Sequence, residues 1–385
     1  MGLSLAYFDY RRDLPLTIRS ALTPIFGRSL SGPLGHVIDV VAVVATVLGA
    51  AQTLGFGVEQ FVSGLTRLGF DDWPYTVGED GAQTMPIMAI VVALTVIMGG
   101  STLSALSGVG KGIKSLSNIH TGLSFFIQTF FLIFGSIFFG LQAFFLGGWD
   151  DFLSIPSNIF TVWGGDGVEG SVASELNVWQ GGWTIFYRAL GIAFAPFVGV
   201  VLARANSACI RAGGDHYSRD DVFVWFAIVG GTAIDLKLNG NADGAITGAG
   251  RSDQLFAMLA VMLEPTLAWA MSLVVVVVLL TYLVTSADSA VLIINIITAA
   301  GDKGPKARPH ITFWGVALAL VVGGLIIAGG LGAIQTAMVI GALPFSLVMA
   351  LMGLSVLKAI RRDGRREKVG VPATSLQAAA VAPAE

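Results

Sequence analysis

The sequence has 385 residues, a net charge of −3 and a mean hydropathy of +0.77; 54% of its residues are hydrophobic and 12% are charged. Because soluble domains carry about 25% charged residues, this composition excludes an ordinary water-soluble protein and favours a membrane protein. The single cysteine, Cys209, excludes an internal disulfide framework. The sequence lacks a basic stripe with interleaved aromatic residues, so nucleic acid is not expected as a partner.

The chain begins with MGLSLAYFDYRRDLPL, which lacks the basic-then-apolar order of a signal peptide. This stretch is typical of the last turns of an apolar helix that runs into a basic loop. We therefore predict a cytoplasmic N-terminal segment over residues 1–36.

Eight apolar stretches follow, and each is a candidate for crossing the bilayer, which takes roughly 20 apolar helical residues. Lipid offers backbone groups no partner, and the alternation typical of barrel strands is lacking, so all eight are predicted to be helices. They cover about residues 37–66, 85–106, 119–147, 181–203, 221–237, 266–298, 311–329 and 332–357. The fifth is the weakest, because its apolar part, VFVWFAIVGGTAI, is short for a full crossing. The predicted fold class is an all-α polytopic membrane protein with about eight transmembrane helices.

The basic residues are distributed unevenly between the two sides of this layout. Eighteen of the 22 Lys and Arg residues fall in the termini and loops of one side, whereas only Arg67, Lys237 and Arg251 fall on the other and Arg188 lies within a span. The positive-inside rule then predicts that both termini are cytoplasmic.

The predicted transmembrane domain covers residues 37–360 and is followed by a basic and then disordered cytoplasmic tail over residues 361–385. Residues 148–180 are predicted to be extracellular, either as a plain loop or with an interfacial helix. The glycine-rich hairpin SGVGKGIKSLSN lacks the GxxxxGK[ST] order and a preceding strand, so nucleotide binding is not expected there.

Three stretches contain more than generic apolar packing. In ATVLGAAQTLGFGVEQFVSGL, small and polar residues lie three or four positions apart on one helix face: Thr46, Gly49, Thr53 and Gly57. This stripe indicates either close helix packing through small residues or cation coordination by Thr46. In GGWTIFYRALGIAFAPFVGVVLAR, Gly191 and Pro196 predict a broken helix whose aromatic rings suit a quaternary ammonium group; the alternative is an aromatic helix with a proline kink.

The third stretch is TYLVTSADSAVL, in which four polar residues lie between long apolar runs: Thr285, Ser286, Asp288 and Ser289. Polar groups are costly in lipid, so they are expected to face a cavity or bind a partner, and their oxygens suit a dehydrated Na⁺. The alternative is that the hydroxyls bond to their own helix. Asp288 is expected to be a helix–helix hydrogen-bond partner rather than a catalytic acid.

Several of these motifs, in order, resemble the betaine/choline/carnitine transporter family. GGWTIFY…APFVGVVLAR resembles the family's eighth helix, which reads approximately GWTxFYWAWWxSWxPFVGxFLAR. The N-terminal YFDYRRDLPLTIRSALTPIFG resembles the loop after the fourth helix, LVTSADSAVL the tenth helix, and GGLGAIQTAMVIGALPFSLVMALM the twelfth. The similarity covers roughly residues 5–360.

The resemblance implies a fold of twelve helices, ten of them in two inverted five-helix repeats as in the leucine-transporter class, with the binding site near the midplane. This chain resembles helices five to twelve. The resemblance therefore implies an N-terminally truncated, incomplete version of that fold.

The resemblance also implies site residues. The substrate would lie against Trp183, Tyr187, Arg188, Leu190, Gly191 and Phe194. Only Phe194 keeps a ring among the four positions where the family places cage tryptophans, and Arg188 brings a like charge, so weakened binding is expected. Sodium ligands are implied at Tyr282 (through its carbonyl), Thr285 and Ser286, and at a second site at Thr46 and Phe197.

The function implied is secondary active transport of glycine betaine, choline or carnitine across the plasma membrane, coupled to Na⁺, with no other cofactor, for osmoprotectant uptake. The family tends to form trimers, so a homotrimer is the implied assembly. One alternative is a non-transporting, truncated or decayed remnant of such a transporter. A membrane scaffold or lipid-acting enzyme is a remote alternative, because no nucleophile–base pair, metal set or cofactor motif is present in the sequence.

Overall fold

The computed structural model describes residues 1–70, 76–77, 83–84, 86–107, 114–168, 170–205, 223–239, 242, 244–299 and 308–368. Helices dominate the described chain, as predicted, and the two strands described, β1 (Thr76–Val77) and β2 (Gln83–Thr84), form a two-residue antiparallel ladder. The helices are α1 (Gly2–Ala6), α2 (Thr23–Phe26), α3 (Pro33–Arg67), α4 (Ile87–Ser107), α5 (Lys114–Phe134), α6 (Ile137–Gln142), α7 (Gly148–Phe160), α8 (Val172–Gln180), α9 (Phe186–Ala205), α10 (Gly231–Leu238), α11 (Ala245–Gly248), α12 (Gln254–Met262), α13 (Pro265–Thr298) and α14 (Arg308–Glu367).

Six of the described helical stretches are long and apolar enough to cross a membrane. They are Pro33–Arg67, Ile87–Ser104, Lys114–Phe134, Val172–Ala203, Pro265–Thr298 and Arg308–Arg366. The last of them contains both the seventh and the eighth predicted span, joined across a kink at Gly329 and Gly330. The fifth predicted span is not among the six, because the helical residues described there, 223–238, are too few.

The third predicted span, residues 119–147, is not one continuous helix. Helix α5 ends at Phe134, and α6 begins at Ile137 after Ser136, whose ψ of 72° is not helical. The backbone N–H of Ser136 donates to Thr232 Oγ1 at 3.2 Å, and its hydroxyl donates to the Asp235 carboxylate. The Thr232 hydroxyl therefore supplies an acceptor for a backbone N–H that the break leaves without its helical partner.

The segment predicted as an extracellular loop is largely helical. Helix α7 covers Gly148–Phe160 and α8 covers Val172–Gln180. The apolar side chains of α7 are exposed, among them Phe152 and Phe160. The segment therefore contains helices rather than a plain loop, and an interfacial position for α7 stays a prediction.

The chain forms two compact units and passes between them four times, once within α3 and once within α13. The first unit contains residues 1–53, 181–213 and 289–385. Its buried core joins the N-terminal segment to α9 and α14 through residues such as Phe8, Val200 and Phe345. The predicted cytoplasmic segment thus packs tightly on the helices of its unit.

A buried ion pair fixes this N-terminal segment to the end of α14. Arg12 donates to both carboxylate oxygens of Asp363, at 2.7 and 3.1 Å, and the two side chains are 5% and 2% exposed. The Tyr7 hydroxyl donates to the same carboxylate at 2.6 Å. Burial, and then the neighbouring Asp363 carboxylate, raise the pKa of Tyr7. Helix α14 continues to Glu367, so the first residues of the predicted tail are helical, and residues 369–385 lie outside the described chain.

The second unit contains residues 54–180 and 214–288. Within it, the C-terminal half of α3 lies close to α12 and α13, because a side chain at Gly64 would overlap Phe256 and Val276. Arg67, at the end of α3, binds both carboxylate oxygens of Asp253. Gly57 of the predicted stripe lies equally close to Leu283 of α13, so it serves close helix packing.

Candidate functional site

Helix α9 carries the side chains predicted to bind substrate, and it is continuous. The predicted break at Gly191 and Pro196 is wrong, because Phe186–Ala205 is a single α-helix with Pro196 inside it. The irregular backbone lies earlier, in a π-helical turn at Gly181–Ile185. Proline is tolerated inside membrane helices because neighbouring groups and small local adjustments satisfy the carbonyl that loses its donor.

Three of the predicted substrate residues share one face of α9. Tyr187, Gly191 and Phe194 are four and three residues apart, which places them on the same side of a helix. Tyr187 and Gly191 are exposed, whereas Phe194 and the neighbouring Leu190 are half-buried. Arg188 is exposed but lies about 100° around the helix from Tyr187. Its charge is therefore beside this face, which we call the α9 face (Tyr187, Gly191 and Phe194), and not on it.

The aromatic rings of α9 and of the π-helical turn before it form two groups. Trp183 stacks on Tyr187 with ring centroids 5.9 Å apart and an interplanar angle of 18°, and Phe186 packs edge-on against Tyr187 at 5.1 Å. Two turns further on, Phe194 and Phe197 are in edge-to-face contact at 5.6 Å. Ring faces carry negative charge density, so both groups can attract a desolvated cation.

Thr46 and Phe197, which are predicted as ligands of one sodium ion, both lie in the first unit. Phe197 packs against the buried cluster that contains Ala42 and Ala45. Thr46 is 1% exposed, and its hydroxyl donates to the Ala42 carbonyl at 2.7 Å. This hydroxyl bonds to its own helix, and its cation role stays a prediction.

Helix α3 approaches α9 closely at Gly49. A β-carbon at Gly49 would lie 3.1 Å from the Ala193 carbonyl and 3.2 Å from Phe194 Cδ2. The packing alternative predicted for this stripe is therefore confirmed at Gly49. Because the close atoms at Ala193 are backbone atoms, they have little freedom to move away.

We expect Gly49→Val to lower the free energy of unfolding by about 1–3 kcal/mol, because overpacking forces helices apart. Thermal unfolding of the detergent-solubilised protein measures this effect. Gly122→Val is the matched control, since a β-carbon there has no described atom within 4 Å outside its own helix backbone. Equal shifts in the two variants would contradict the close approach of α3 to α9.

The other predicted sodium ligands lie on α13 in the second unit. Tyr282, Thr285 and Ser286 share one face of this helix, and all three are at least partly exposed. The Thr285 hydroxyl donates to the Tyr282 carbonyl at 2.9 Å and to the Thr281 carbonyl at 3.0 Å. The Thr285 hydroxyl thus bonds to its own helix, as one of the two predicted alternatives states. The same contact places two predicted ligand oxygens, Thr285 Oγ1 and the Tyr282 carbonyl oxygen, within 3 Å of each other.

Two polar residues near this face had no predicted role in the site. His120 of α5 packs against the Tyr282 ring at 5.6 Å and lines a cavity of about 410 Å³ together with Ser124, Gln128 and Trp225. The spacing of His120, Ser124 and Gln128 at every fourth residue was the available signal, because it marks a polar face on an otherwise apolar helix. Asp288 accepts a hydrogen bond from the Ser101 hydroxyl of α4 at 2.9 Å, which confirms its predicted helix–helix role.

The sequence profile of the betaine/carnitine/choline family of transporters matches residues 1–365. The chain belongs to this family. It is 34% identical over 370 residues to a probable glycine betaine transporter of Desulfitobacterium hafniense, covering 94% of this chain and 69% of the relative. It is 34% identical to the high-affinity choline transport protein of Escherichia coli K12 and 31% identical to a glycine betaine transporter of Acinetobacter baylyi, covering 95% of this chain and 52% of the relative in both cases.

Family membership confirms the resemblance seen in the motifs and points to a transporter rather than an enzyme. Together with the six apolar helices, it makes this chain a multi-pass membrane protein of the betaine/carnitine/choline transporter family. The chain spans between about half and about two thirds of the length of these relatives.

Proposed function

We propose that this chain carries out secondary active transport of quaternary ammonium compounds such as glycine betaine, choline or carnitine, coupled to Na⁺. The observation that carries the proposal is the family match over residues 1–365. The names of two relatives, a high-affinity choline transport protein and a glycine betaine transporter, support the substrate class.

The α9 face is the proposed substrate surface. A trimethylammonium group has no N–H to donate, so ring faces and desolvation must supply its binding free energy. Phe194 supplies one ring at the half-buried end of the face, and the stacked pair of Trp183 and Tyr187 supplies the exposed end. Leu190 and Gly191 contribute only shape, and Arg188 lies beside the face as a positive charge.

The α13 face of Tyr282, Thr285 and Ser286 is the proposed sodium surface. Its carbonyl and hydroxyl oxygens are of the kind that binds hard cations. Thr46 and Phe197 are the proposed members of a second sodium site in the other unit. Na⁺ bound in the same transport cycle as the substrate would let the sodium gradient drive accumulation of the solute.

The proposed setting is the plasma membrane with both termini cytoplasmic, as a homotrimer that takes up osmoprotectants. The excess of basic residues on one predicted side of the membrane supports the orientation. Accessibility of single cysteines introduced at Arg28 and Arg361 to a membrane-impermeant reagent tests it, because both should react only after the membrane is permeabilised.

Uptake of radiolabelled betaine, choline and carnitine by a strain without its own carriers tests the proposed transport. We expect accumulation of at least one solute in Na⁺ medium and a large reduction when K⁺ replaces Na⁺. Accumulation that is equal in the two media contradicts sodium coupling. Absence of uptake, with the protein present in the membrane, contradicts the proposed transport and favours the alternative of a non-transporting remnant.

Thr285→Ala is expected to raise the Na⁺ concentration at half-maximal uptake by on the order of tenfold, because a hydrogen-bonding oxygen next to a charge contributes about 1.5 kcal/mol or more. Thr298→Ala is the matched control on the same helix. The Thr298 hydroxyl also bonds to its own helix, through the Ile294 carbonyl at 2.8 Å, but it lies outside the proposed sodium face. Equal sodium dependence in the two variants would argue against a ligand role for Thr285.

A further inference from the structure

The break between α5 and α6, at Gly135 and Ser136, leaves backbone carbonyls at the end of α5 without their helical partners. In a continuous helix the carbonyls of Leu132 and Ile133 would accept from the N–H groups of Ser136 and Ile137. The Ser136 N–H donates instead to a side chain of α10, and the Ile137 N–H donates to the Gly135 carbonyl at 3.0 Å. These two carbonyls of α5 are therefore available to another partner.

The carboxylate of Asp235 lies at the same break. One of its oxygens accepts a hydrogen bond from the Ser136 hydroxyl, and the other accepts from the Asn239 side-chain amide at 2.7 Å. Thr232 is three residues before Asp235 on α10, and its Oγ1 accepts the Ser136 N–H at 3.2 Å. Two side chains on one face of α10 thus hold Ser136, and the carboxylate lies beside the end of α5.

Close glycine contacts fix these segments against each other. A β-carbon at Gly231 would lie 2.9 Å from the Gly140 Cα, so the two backbones touch where α6 crosses the start of α10. A β-carbon at Gly135 would lie 2.5 Å from Thr232 Oγ1. All of these residues belong to the second unit. The oxygens at the break are therefore held by the backbone and not by flexible side chains, which preorganises them for a ligand.

The local charge at the break is negative. The hydrogen-bond donors to Asp235 are neutral groups, and none of the ion pairs described in the structure includes this carboxylate. Lys237, the basic residue of α10, is exposed and lies about 200° around the helix from Asp235. The C-terminal end of α5 adds a partial negative charge of its own. A bound cation would balance both contributions.

The break is placed where ions from water have access to it. Helix α5 has 21 residues and so rises about 31 Å, roughly the thickness of the hydrocarbon core. Its first residue follows the loop predicted to be cytoplasmic, so its last turn is predicted to lie near the outer face of the membrane. Ser136 and Asp235 are half-buried, which leaves part of each accessible.

From the two carbonyls, the carboxylate and the uncompensated charge, we propose that the break between α5 and α6 binds a monovalent hard cation with the ligand preference of Na⁺. Its ligands are the Asp235 carboxylate, the Ser136 hydroxyl oxygen, and the carbonyls of Leu132 and Ile133; we call this set the break site. The Ser136 hydroxyl donates its proton to Asp235 and still has lone pairs for the ion. Interrupted helices in membrane transporters coordinate ions through such carbonyl ends.

Charge balance favours a monovalent ion over a divalent one. Asp235 supplies one full negative charge, and the other three ligands are neutral, whereas calcium sites commonly use several carboxylates. A quaternary ammonium group is bound by ring faces rather than by oxygen ligands, so it does not suit the break site.

The inference goes beyond the proposed transport and does not depend on it, because none of its ligands belongs to the α9 face or to α13. Binding of radioactive Na⁺ to the purified, detergent-solubilised protein tests it, with N-methylglucamine as the replacement cation. Asp235→Asn should weaken the binding of one Na⁺ per chain by on the order of tenfold or more, because it removes the full negative charge. Glu264→Gln is the matched control, since Glu264 is an exposed acid of the same unit.

The break site and the transport proposal can fail independently. If Asp235→Asn binds Na⁺ as the wild type does, or if Glu264→Gln loses as much binding, the inference is wrong, whatever the uptake assay shows. If Asp235→Asn loses Na⁺ binding but wild-type cells show no uptake, the transport proposal fails and the break site stands. Thr285→Ala, which changes only the sodium surface proposed on α13, should leave the Na⁺ bound at Asp235 in place.

Should Asp235→Asn fail to fold, Ser136→Ala decides the question. This variant keeps the carboxylate and the backbone N–H that donates to Thr232, and it removes one ligand oxygen. We expect it to weaken the binding of the same Na⁺ several-fold. Wild-type Na⁺ affinity in Ser136→Ala would overturn the assignment.

Discussion

Replacing Arg12 by alanine is expected to lower the free energy of unfolding by about 3–5 kcal/mol, the cost of removing one partner from a buried ion pair. Arg12 binds both oxygens of Asp363, and both side chains are almost inaccessible to solvent. The variant leaves Asp363 buried with only the Tyr7 hydroxyl described as a donor to it. The guanidinium also lies 5.6 Å above the Phe8 ring, and this contact is lost as well.

The measurement is thermal or denaturant unfolding in detergent micelles, at one protein concentration and scan rate, because large membrane proteins often unfold irreversibly. Arg11→Ala is the matched control, since Arg11 is the exposed neighbour. Arg12→Met combined with Asp363→Leu should recover much of the loss, because it removes both charges from the interior. Equal destabilisation by Arg11→Ala and Arg12→Ala would be inconsistent with the described pair.

The hydroxyl of Tyr7 adds a pH dependence to the same contact. Its ordinary pKa is 10.0, and burial, followed by the Asp363 carboxylate, raises the value in the folded protein. A raised pKa means that the hydroxyl stabilises the fold at any pH below 10 and that this contribution is lost as the pH rises through the raised value. Tyr7→Phe should therefore unfold with a weaker dependence on alkaline pH than the wild type.

Phe194→Leu is expected to weaken binding of choline or betaine by on the order of tenfold, because a ring facing a desolvated cation contributes about 1–2 kcal/mol. Leucine keeps most of the apolar volume and removes the ring quadrupole, so the change isolates the cation–π contribution. Half-saturation of uptake or equilibrium binding to the purified protein measures the effect. Phe313→Leu, on an exposed ring of α14, is the control.

Adding a ring at Gly191 tests the same cation–π contribution independently of removing the Phe194 ring. A side chain at Gly191 has open space, since no described atom outside its own helix backbone lies within 4 Å of a β-carbon there. Gly191→Trp should tighten binding several-fold by adding a ring between Tyr187 and Phe194, whereas Gly191→Leu should not. If the leucine and tryptophan variants have the same affinity, or if Phe194→Leu has no effect, the α9 face does not bind the cation.

The apolar spans could be predicted from the sequence because hydrophobicity over about 20 residues is a local property. Helices α3 and α13 lie where the composition places them. The break at Ser136 could not be predicted, because its compensating partners, Thr232 and Asp235, are nearly a hundred residues away. The continuity of α9 through Pro196 could not be predicted either, because proline removes a helical hydrogen bond and so favours a break.

In the candidate site, too, local spacing could be predicted from the sequence, whereas contacts between distant residues could not. The face shared by Tyr187, Gly191 and Phe194 follows from helical spacing and was predictable. The position of Arg188 beside that face follows from the same spacing. Because Arg12 and Asp363 are 351 positions apart in the sequence, no local sequence pattern predicts their contact.

The kink within α14 constrains how the last two predicted spans can move. Only Gly329 and Gly330 depart from helical geometry there, and Gly330 has φ 60° and ψ −150°, a conformation accessible essentially to glycine alone. Because only two residues connect the two helical segments of α14, neither segment can move along its axis without moving the other. During any conformational cycle the two segments must therefore translate together, and an epitope tag placed between them would uncouple the pair.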